Sequence, residues 1–240
     1  MRTIAILPIK SFGAAKQRLA GLLGSGSRKA LAQAMFLDVL ASLRRSAAID
    51  GIAVITGDPA AESAASGRGT VVLPDASEQG QSAAAGIGIE YAVRHGYERA
   101  LLVPGDTPLL DAGEVEDLLE RSERDGRGTV IVPDRHGTGT NALLLSPPDA
   151  IIPSFGPHSL ERHVAAAEAG GAAHRVEQTR SLLFDVDTPE DLDVLIGLLE
   201  QRTGTASLTR GALSQLDRMR ARRPASVADP AETAAAAARA

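Results

Sequence analysis

Three short stretches, AILPI at residues 5–9, IAVIT at 52–56 and LLVPGD at 101–106, are nearly unbroken apolar runs rather than alternations of apolar and polar residues. A strand with one wet face alternates, whereas a strand covered on both faces does not, so these runs demand a sheet buried between helices. Strand candidates lie at Thr3–Ile9, Gly51–Thr56, Thr70–Leu73, Ala100–Val103, Thr129–Val132, Ala142–Leu145 and Leu182–Asp185. Helix candidates fall between them. One runs from a Ser27 cap to about Arg45, with Leu31, Met35, Val39 and Leu43 on a single stripe. Others cover about 60–66, 81–95, 112–125, 159–169 and 189–202, the last with Thr188 as N-cap and Pro189 at its first position. The expected fold is a Rossmann-like α/β sandwich, with a mainly parallel central sheet flanked by helices. Such sheets bind ligands beyond the carboxyl ends of their strands.

Composition narrows the function. Aromatic residues are 2% of the chain, which disfavours base stacking as a main binding mode, and the net charge of -5 argues against a nucleic-acid polymer as partner. With no Cys, there is no thiolate nucleophile and no Cys-ligated metal. No apolar run approaches the roughly 18 residues of a membrane span, and MRTIAILPIK leads straight into a strand, so a cytoplasmic location is expected. Residues 1–202 read as one domain. Residues 203–240 hold six arginines against three acids and end in AETAAAAARA, which reads as a mobile tail, with room for a short helix around 213–222.

The motifs gather after strands. The loop LPIKSFGAAKQRL places Lys10, Lys16 and Arg18 among small residues, Gly13 included, after the first strand. Small residues admit a ligand close to the backbone, lysines act as point charges on phosphate oxygens, and arginine binds two oxygens at once. LLVPGDTPLL sets Asp106 at the carboxyl edge of the sheet. A hard cation such as Mg²⁺ takes one or two such carboxylates together with substrate phosphates. LLFDVDTPEDL offers the partner carboxylate, Asp187 in preference to Asp185, and the two point the same way in extended backbone.

Three weaker signals complete the set. DRHGTGTNAL carries Thr140 and Asn141 after two glycines, as a β-hairpin connection also would. FGPHSLERH places Gly156 and Ser159 at a helix N-terminus, a ready anion site. His158 and His163 are five apart, which does not match a helical zinc pair. Gly80 and Gln81 open a small-residue helix and can form a base-reading loop, whereas Gly86 and Gly88 follow no strand and make no dinucleotide fingerprint. A cationic loop, an acidic metal pair and a second anion site together describe metal-assisted transfer of a phosphate-bearing group.

LPIKSFGAAKQRL, PGDTPLL, DRHGTGTNAL, FGPHS and FDVDTPEDL, in that order over about residues 3–200, resemble the guanylyltransferases of coenzyme F-420 biosynthesis. These are relatives of the molybdenum-cofactor and sugar-phosphate nucleotidyltransferases. The resemblance implies a nucleotidyltransferase (GT-A/MobA-like) sandwich and attack by a substrate phosphate on the α-phosphorus of GTP. The donor implied is phosphoenolpyruvate in bacterial members and 2-phospho-L-lactate in archaeal ones. Thr140, Gly156 and Ser159 would hold phosphoenolpyruvate; Asp106 and Asp187 would hold Mg²⁺; Lys10, Lys16 and Arg18 would neutralise the triphosphate. Gly13, Gly80 and Gln81 would complete the nucleotide site. Some members carry a second acid beside the PGD-type aspartate, where this chain has Thr107 and Pro108. A monomer or homodimer is expected, with a downstream enzyme of the pathway taking up the product.

Two other readings compete. A sugar-phosphate or molybdopterin nucleotidyltransferase usually has a more glycine-rich first loop, and only Gly13 lies between Lys10 and Lys16. A non-catalytic nucleotide-binding regulator has less need of the metal carboxylates.

Overall fold

The structure, a computed structural model, describes residues 1–67, 69–76, 79–126, 128–202 and 204–222. Among these residues the strands are β1 (Thr3–Pro8), β2 (Gly51–Thr56), β3 (Thr70–Pro74), β4 (Arg99–Leu102), β5 (Gly128–Pro133), β6 (Thr140–Ser146) and β7 (His174–Val176). The helices are α1 (Ser25–Arg45), α2 (Pro59–Ala65), α3 (Gln81–Arg94), α4 (Ala112–Asp125), α5 (Ser159–Ala169), α6 (Pro189–Gln201) and α7 (Ser207–Arg222). The strands form one sheet in the order β3-β2-β1-β4-β6-β5-β7. β6 runs antiparallel to its neighbours β4 and β5, and every other pairing is parallel.

The apolar runs of β1, β2 and β4 are buried on both faces, as their sequence requires. Ala5 and Leu7 of β1 face α1, α2 and α4, through Phe36, Val39, Ala61 and Leu118 among others. Ile4 and Ile6 face α3 and α5, through Ala84, Ala85, Ile89 and Ala167. Gly88 explains how closely α3 approaches. A Cβ there would overlap the Ile6 side chain and lie 3.0 Å from Ile55 Cδ1. A third layer covers the outer side of α1, where Leu31 and Met35 pack with Leu192, Leu195 and Leu199 of α6 and with Leu213 of α7.

Four sequence expectations are corrected. Leu182–Asp185 is not a strand: Leu182 and Phe184 are buried as irregular chain, and the Leu182 carbonyl accepts from Asn141 Nδ2 at 2.9 Å. The seventh strand is β7, a short and largely exposed edge that lacks the apolar run a sequence reading looks for. α1 begins at Ser25 after Gly24, not behind Ser27. The chain beyond Arg202 does not simply become a tail. α7 docks on α1, with Leu213 buried and the Leu208 and Thr209 N–H groups donating to Asp38 of α1 at 3.2 and 2.7 Å. The Ala-rich end, 223–240, lies outside the described residues. No helix among the described residues is long and apolar enough to cross a membrane.

Candidate active site

The loops that follow the carboxyl ends of the strands enclose a cleft of about 730 Å³. It is lined by Lys10, Lys16 and Arg18 after β1, Gly80 and Gln81 at the start of α3, Asp106 after β4, Thr140 at the start of β6, Gly156 and Ser159 before and in α5, and Asp185 and Asp187 before α6. Every residue assigned from sequence reaches it except Gly13, whose neighbours Ala14 and Ala15 line it instead. Gly13 also has no positive φ, and a Cβ there would make only an ordinary contact with Ser11.

The loop after β1 is built by Asp58, the N-cap of α2. Its carboxylate accepts the Phe12 N–H at 2.8 Å as well as those of Ala60 and Ala61. Burial opposes its ionisation, but these donors and the Ser11 hydroxyl hold it below the usual carboxylate range. Phe12 is thereby fixed against Phe36 of α1, with ring centroids 5.8 Å apart. Two 3-10 turns, 12–14 and 17–19, flank Lys16, which adopts the left-handed conformation at φ 56°.

The three cations of this loop are not equivalent. Lys10 and Arg18 are exposed at the rim, and Arg18 Nη1 lies 3.9 Å from Asp187 Oδ2. The Lys16 side chain is only 6% exposed; its ammonium donates to Asp106 and, at 3.0 Å, to Asp187. Burial alone would lower its pKa, but the two carboxylates overrule that and hold it well above the usual lysine value.

Asp185 joins these acids. Ligand oxygens of Asp106, Asp185 and Asp187 all lie within 4.8 Å of one another. Burial, then the charges of Asp106 and Asp187, push Asp185 up to about 6, partly offset by Asn141 Nδ2, which donates to it at 3.3 Å. Three convergent carboxylates with a cation already drawn between two of them are an all-oxygen donor set, and this set fits a hard divalent ion such as Mg²⁺. The sequence reading ranked Asp185 below Asp187, and the structure supplies both. Asp187 is oriented by Asp191 in α6, whose Oδ2 accepts the Asp187 N–H at 2.9 Å and the Thr188 N–H at 2.7 Å. Asp191 also pairs with Arg135, which stacks 5.3 Å from the Phe184 ring centroid and so ties the β5–β6 hairpin to the acidic segment.

The opposite wall is made by β6 and α5. Ser159 does not cap α5: its Oγ accepts the Thr140 N–H at 2.8 Å, and the N-cap position is His158 in the left-handed region. The N–H groups of Ser159 and Leu160 are taken by Gly156 O and Thr138 O, so this helix N-terminus offers less to an anion than its sequence suggested. What it presents are two hydroxyls, Thr140 and Ser159, each with a proton to donate, beside Gly156, whose φ of 116° suits glycine.

Known structures share this architecture. A candidate nucleotide-diphospho-sugar transferase from Desulfovibrio desulfuricans superimposes with a TM-score of 0.71 at 19% identity, over 91% of this chain and 96% of that one. A nucleotidyl transferase from Methanothermobacter thermautotrophicus gives 0.59 at 20% identity, over 84% of this chain and 99% of that one. The fold is therefore that of the nucleotidyltransferases, with the acidic cluster at the carboxyl edge of its sheet. Residues 3–208 match the family described as "Guanylyl transferase CofC like", and the chain belongs to that family. It is 49% identical to the phosphoenolpyruvate guanylyltransferase of Conexibacter woesei, over 90% of this chain and 97% of that protein. It is 31% identical to the 2-phospho-L-lactate guanylyltransferase of Methanothermobacter thermautotrophicus, over 82% and 85%.

Proposed function

We propose that the protein transfers GMP from GTP to the phosphate of phosphoenolpyruvate, giving enolpyruvoyl-diphospho-guanosine and pyrophosphate, in deazaflavin coenzyme F-420 biosynthesis. The observation that carries this reading is one cleft with an acidic cluster between a cation-bearing loop and a hydroxyl-lined wall. That arrangement suits two phosphate-bearing substrates meeting at a metal. The relatives named phosphoenolpyruvate guanylyltransferase, at 49% and 36% identity, favour phosphoenolpyruvate over 2-phospho-L-lactate as the acid.

A phosphate oxygen of phosphoenolpyruvate attacks the α-phosphorus of GTP. The bond from that phosphorus to the bridging oxygen breaks, and pyrophosphate carries the electron pair away. No protein nucleophile is needed, since the attacking group is already anionic; catalysis is in-line alignment with charge neutralisation. Lys10 and Arg18 at the rim supply positive charge to the triphosphate, and Gly80 and Gln81 border the space for the base. Thr140 and Ser159 donate to the acid beside Gly156. Lys16 holds Asp106 and Asp187 together and sets a fixed cation where the phosphates converge. Mg²⁺ held by Asp106, Asp185 and Asp187 would neutralise phosphate oxygens and the leaving pyrophosphate. Incubation with GTP, phosphoenolpyruvate and Mg²⁺, followed by mass spectrometry and ³¹P NMR, is expected to yield the asymmetric diphosphodiester. GTP and acid recovered unchanged would contradict the proposal.

A further inference from the structure

His163 is fully buried, one helical turn along α5 from Ser159, and outside every role given above. Its Nε2 accepts the Ser154 backbone N–H at 2.8 Å. A backbone N–H can only donate, so Nε2 carries no proton and the neutral ring carries its proton on Nδ1. Nδ1 lies 3.0 Å from Thr140 Oγ1 and therefore donates to it. The Thr140 oxygen is thus engaged as an acceptor. Among the described residues nothing takes the Thr140 hydroxyl proton, and Thr140 lines the cleft.

The groups that contact the ring are themselves anchored. Phe155 meets it edge-on, with centroids 5.3 Å apart, and the Phe155 N–H is anchored on Ser82 Oγ at 2.9 Å. Arg162 fixes the Ser154 backbone and side chain, at 2.8 Å to its carbonyl and 2.9 Å to its hydroxyl. Burial, helped by the Arg162 charge, keeps the imidazole neutral, with its pKa down at about 4. A protonated ring would set an N–H against the Ser154 N–H.

We propose that His163 is the positioning residue that makes Thr140 an obligate hydrogen-bond donor to the anionic acid substrate. By occupying one acceptor position of the hydroxyl with an N–H, it keeps the O–H from pointing back at the ring and frees its proton for a phosphate or carboxylate oxygen in the cleft that Thr140 lines. This rests on the function proposed above, since it presumes an anionic acid beside Thr140.

Two amides separate the contacts of the ring. In His163→Gln, the side-chain oxygen replaces Nε2 and keeps the Ser154 contact while the donor to Thr140 is lost. In His163→Asn, the amide nitrogen replaces Nδ1 and keeps the donor. The test is steady-state pyrophosphate release with GTP and phosphoenolpyruvate, varying each substrate. His163→Gln is expected to raise KM for phosphoenolpyruvate about three- to tenfold, the size of one lost hydrogen bond, with kcat and KM for GTP near the parent. His163→Asn is expected to restore that KM. In a Thr140→Val background the Gln substitution adds nothing further. A Gln variant with the parental KM overturns the inference. So does an Asn variant as impaired as Gln, an undiminished Gln effect in the Thr140→Val background, or a loss spread over kcat and the KM for GTP. The parent alone reports on the wider function. A parent that releases no pyrophosphate with any phosphorylated acid removes both proposals, whereas an active parent with an unaffected Gln variant removes only this one.

Discussion

Lys16 Nζ lies 3.0 Å from Asp187 Oδ1 and also bonds Asp106, so one ammonium joins the loop after β1, the turn after β4 and the approach to α6. The strongest charges of the cleft are balanced locally before any substrate arrives. Asp106 is the member best placed for catalysis, because its strand delivers it straight to the sheet edge. Asp106→Asn is expected to lower pyrophosphate release at least about 100-fold while the circular dichroism spectrum stays that of the parent. Activity within a few-fold of the parent would remove the metal assignment.

Asp185 gives the site a pH dependence. Its folded pKa is raised from 3.8 to about 6 by burial and by Asp106 and Asp187, so the folded protein favours the protonated acid. In chelator, Asp185 therefore costs no stability below about pH 4, and an increasing penalty develops as pH rises to about 6. A divalent ion needs the ionised carboxylate and must displace that proton, so Mg²⁺ affinity falls as pH drops below about 6. Thermal unfolding with and without Mg²⁺ at pH 5 and pH 7.5 checks both statements. The expected Mg²⁺-induced rise in Tm is small at pH 5 and clear at pH 7.5. Asp185→Asn is expected to stabilise the chelated protein at pH 7.5 and to lose most of the Mg²⁺ effect; equal Mg²⁺ effects at the two pH values contradict this.

Gly88 is a packing residue. Gly88→Ala forces a methyl group onto Ile6 and Ile55, and overpacking of this kind costs about 1–3 kcal/mol. Urea unfolding measures the loss directly. Because α3 carries Gly80 and Gln81 at its start, KM for GTP is expected to rise more than KM for the acid.

Asp38 caps α7 from a different helix. Asp38→Ala removes that cap, at a cost of about 1 kcal/mol, and is expected to speed tryptic cleavage at Arg210 while turnover with GTP stays at the parental level. Unchanged cleavage would mean that the Leu213 contacts alone hold α7.

The sequence showed the sheet and the site to different depths. β1, β2 and β4 were legible because strands buried on both faces cannot hide their apolar runs, and the loops after them located the cleft. β7 was not, because an exposed three-residue edge carries no such pattern. Leu182–Asp185 misled for the opposite reason: its apolar residues are buried, but as irregular chain held by Asn141. The docking of α7 was invisible because its cap is borrowed from Asp38, far away in sequence. Among the site residues, Asp106, Asp187 and the three cations were named from strand ends and charge. That Lys16 is buried among acids rather than open to phosphate depends on folded distances. The link from His163 to Thr140 does as well, although the four-residue spacing from Ser159 to His163 on one helix face was a signal available in the sequence.

The central claim is the pairing of GTP with a phosphorylated carboxylic acid, and pyrophosphate release measured across a panel of acceptors tests it most directly. With GTP and Mg²⁺, the account predicts rapid release with phosphoenolpyruvate, weaker release with 2-phospho-L-lactate, and none above background with sugar 1-phosphates or molybdopterin. Release that is fastest with a sugar phosphate, or that is absent with every acceptor, would contradict it.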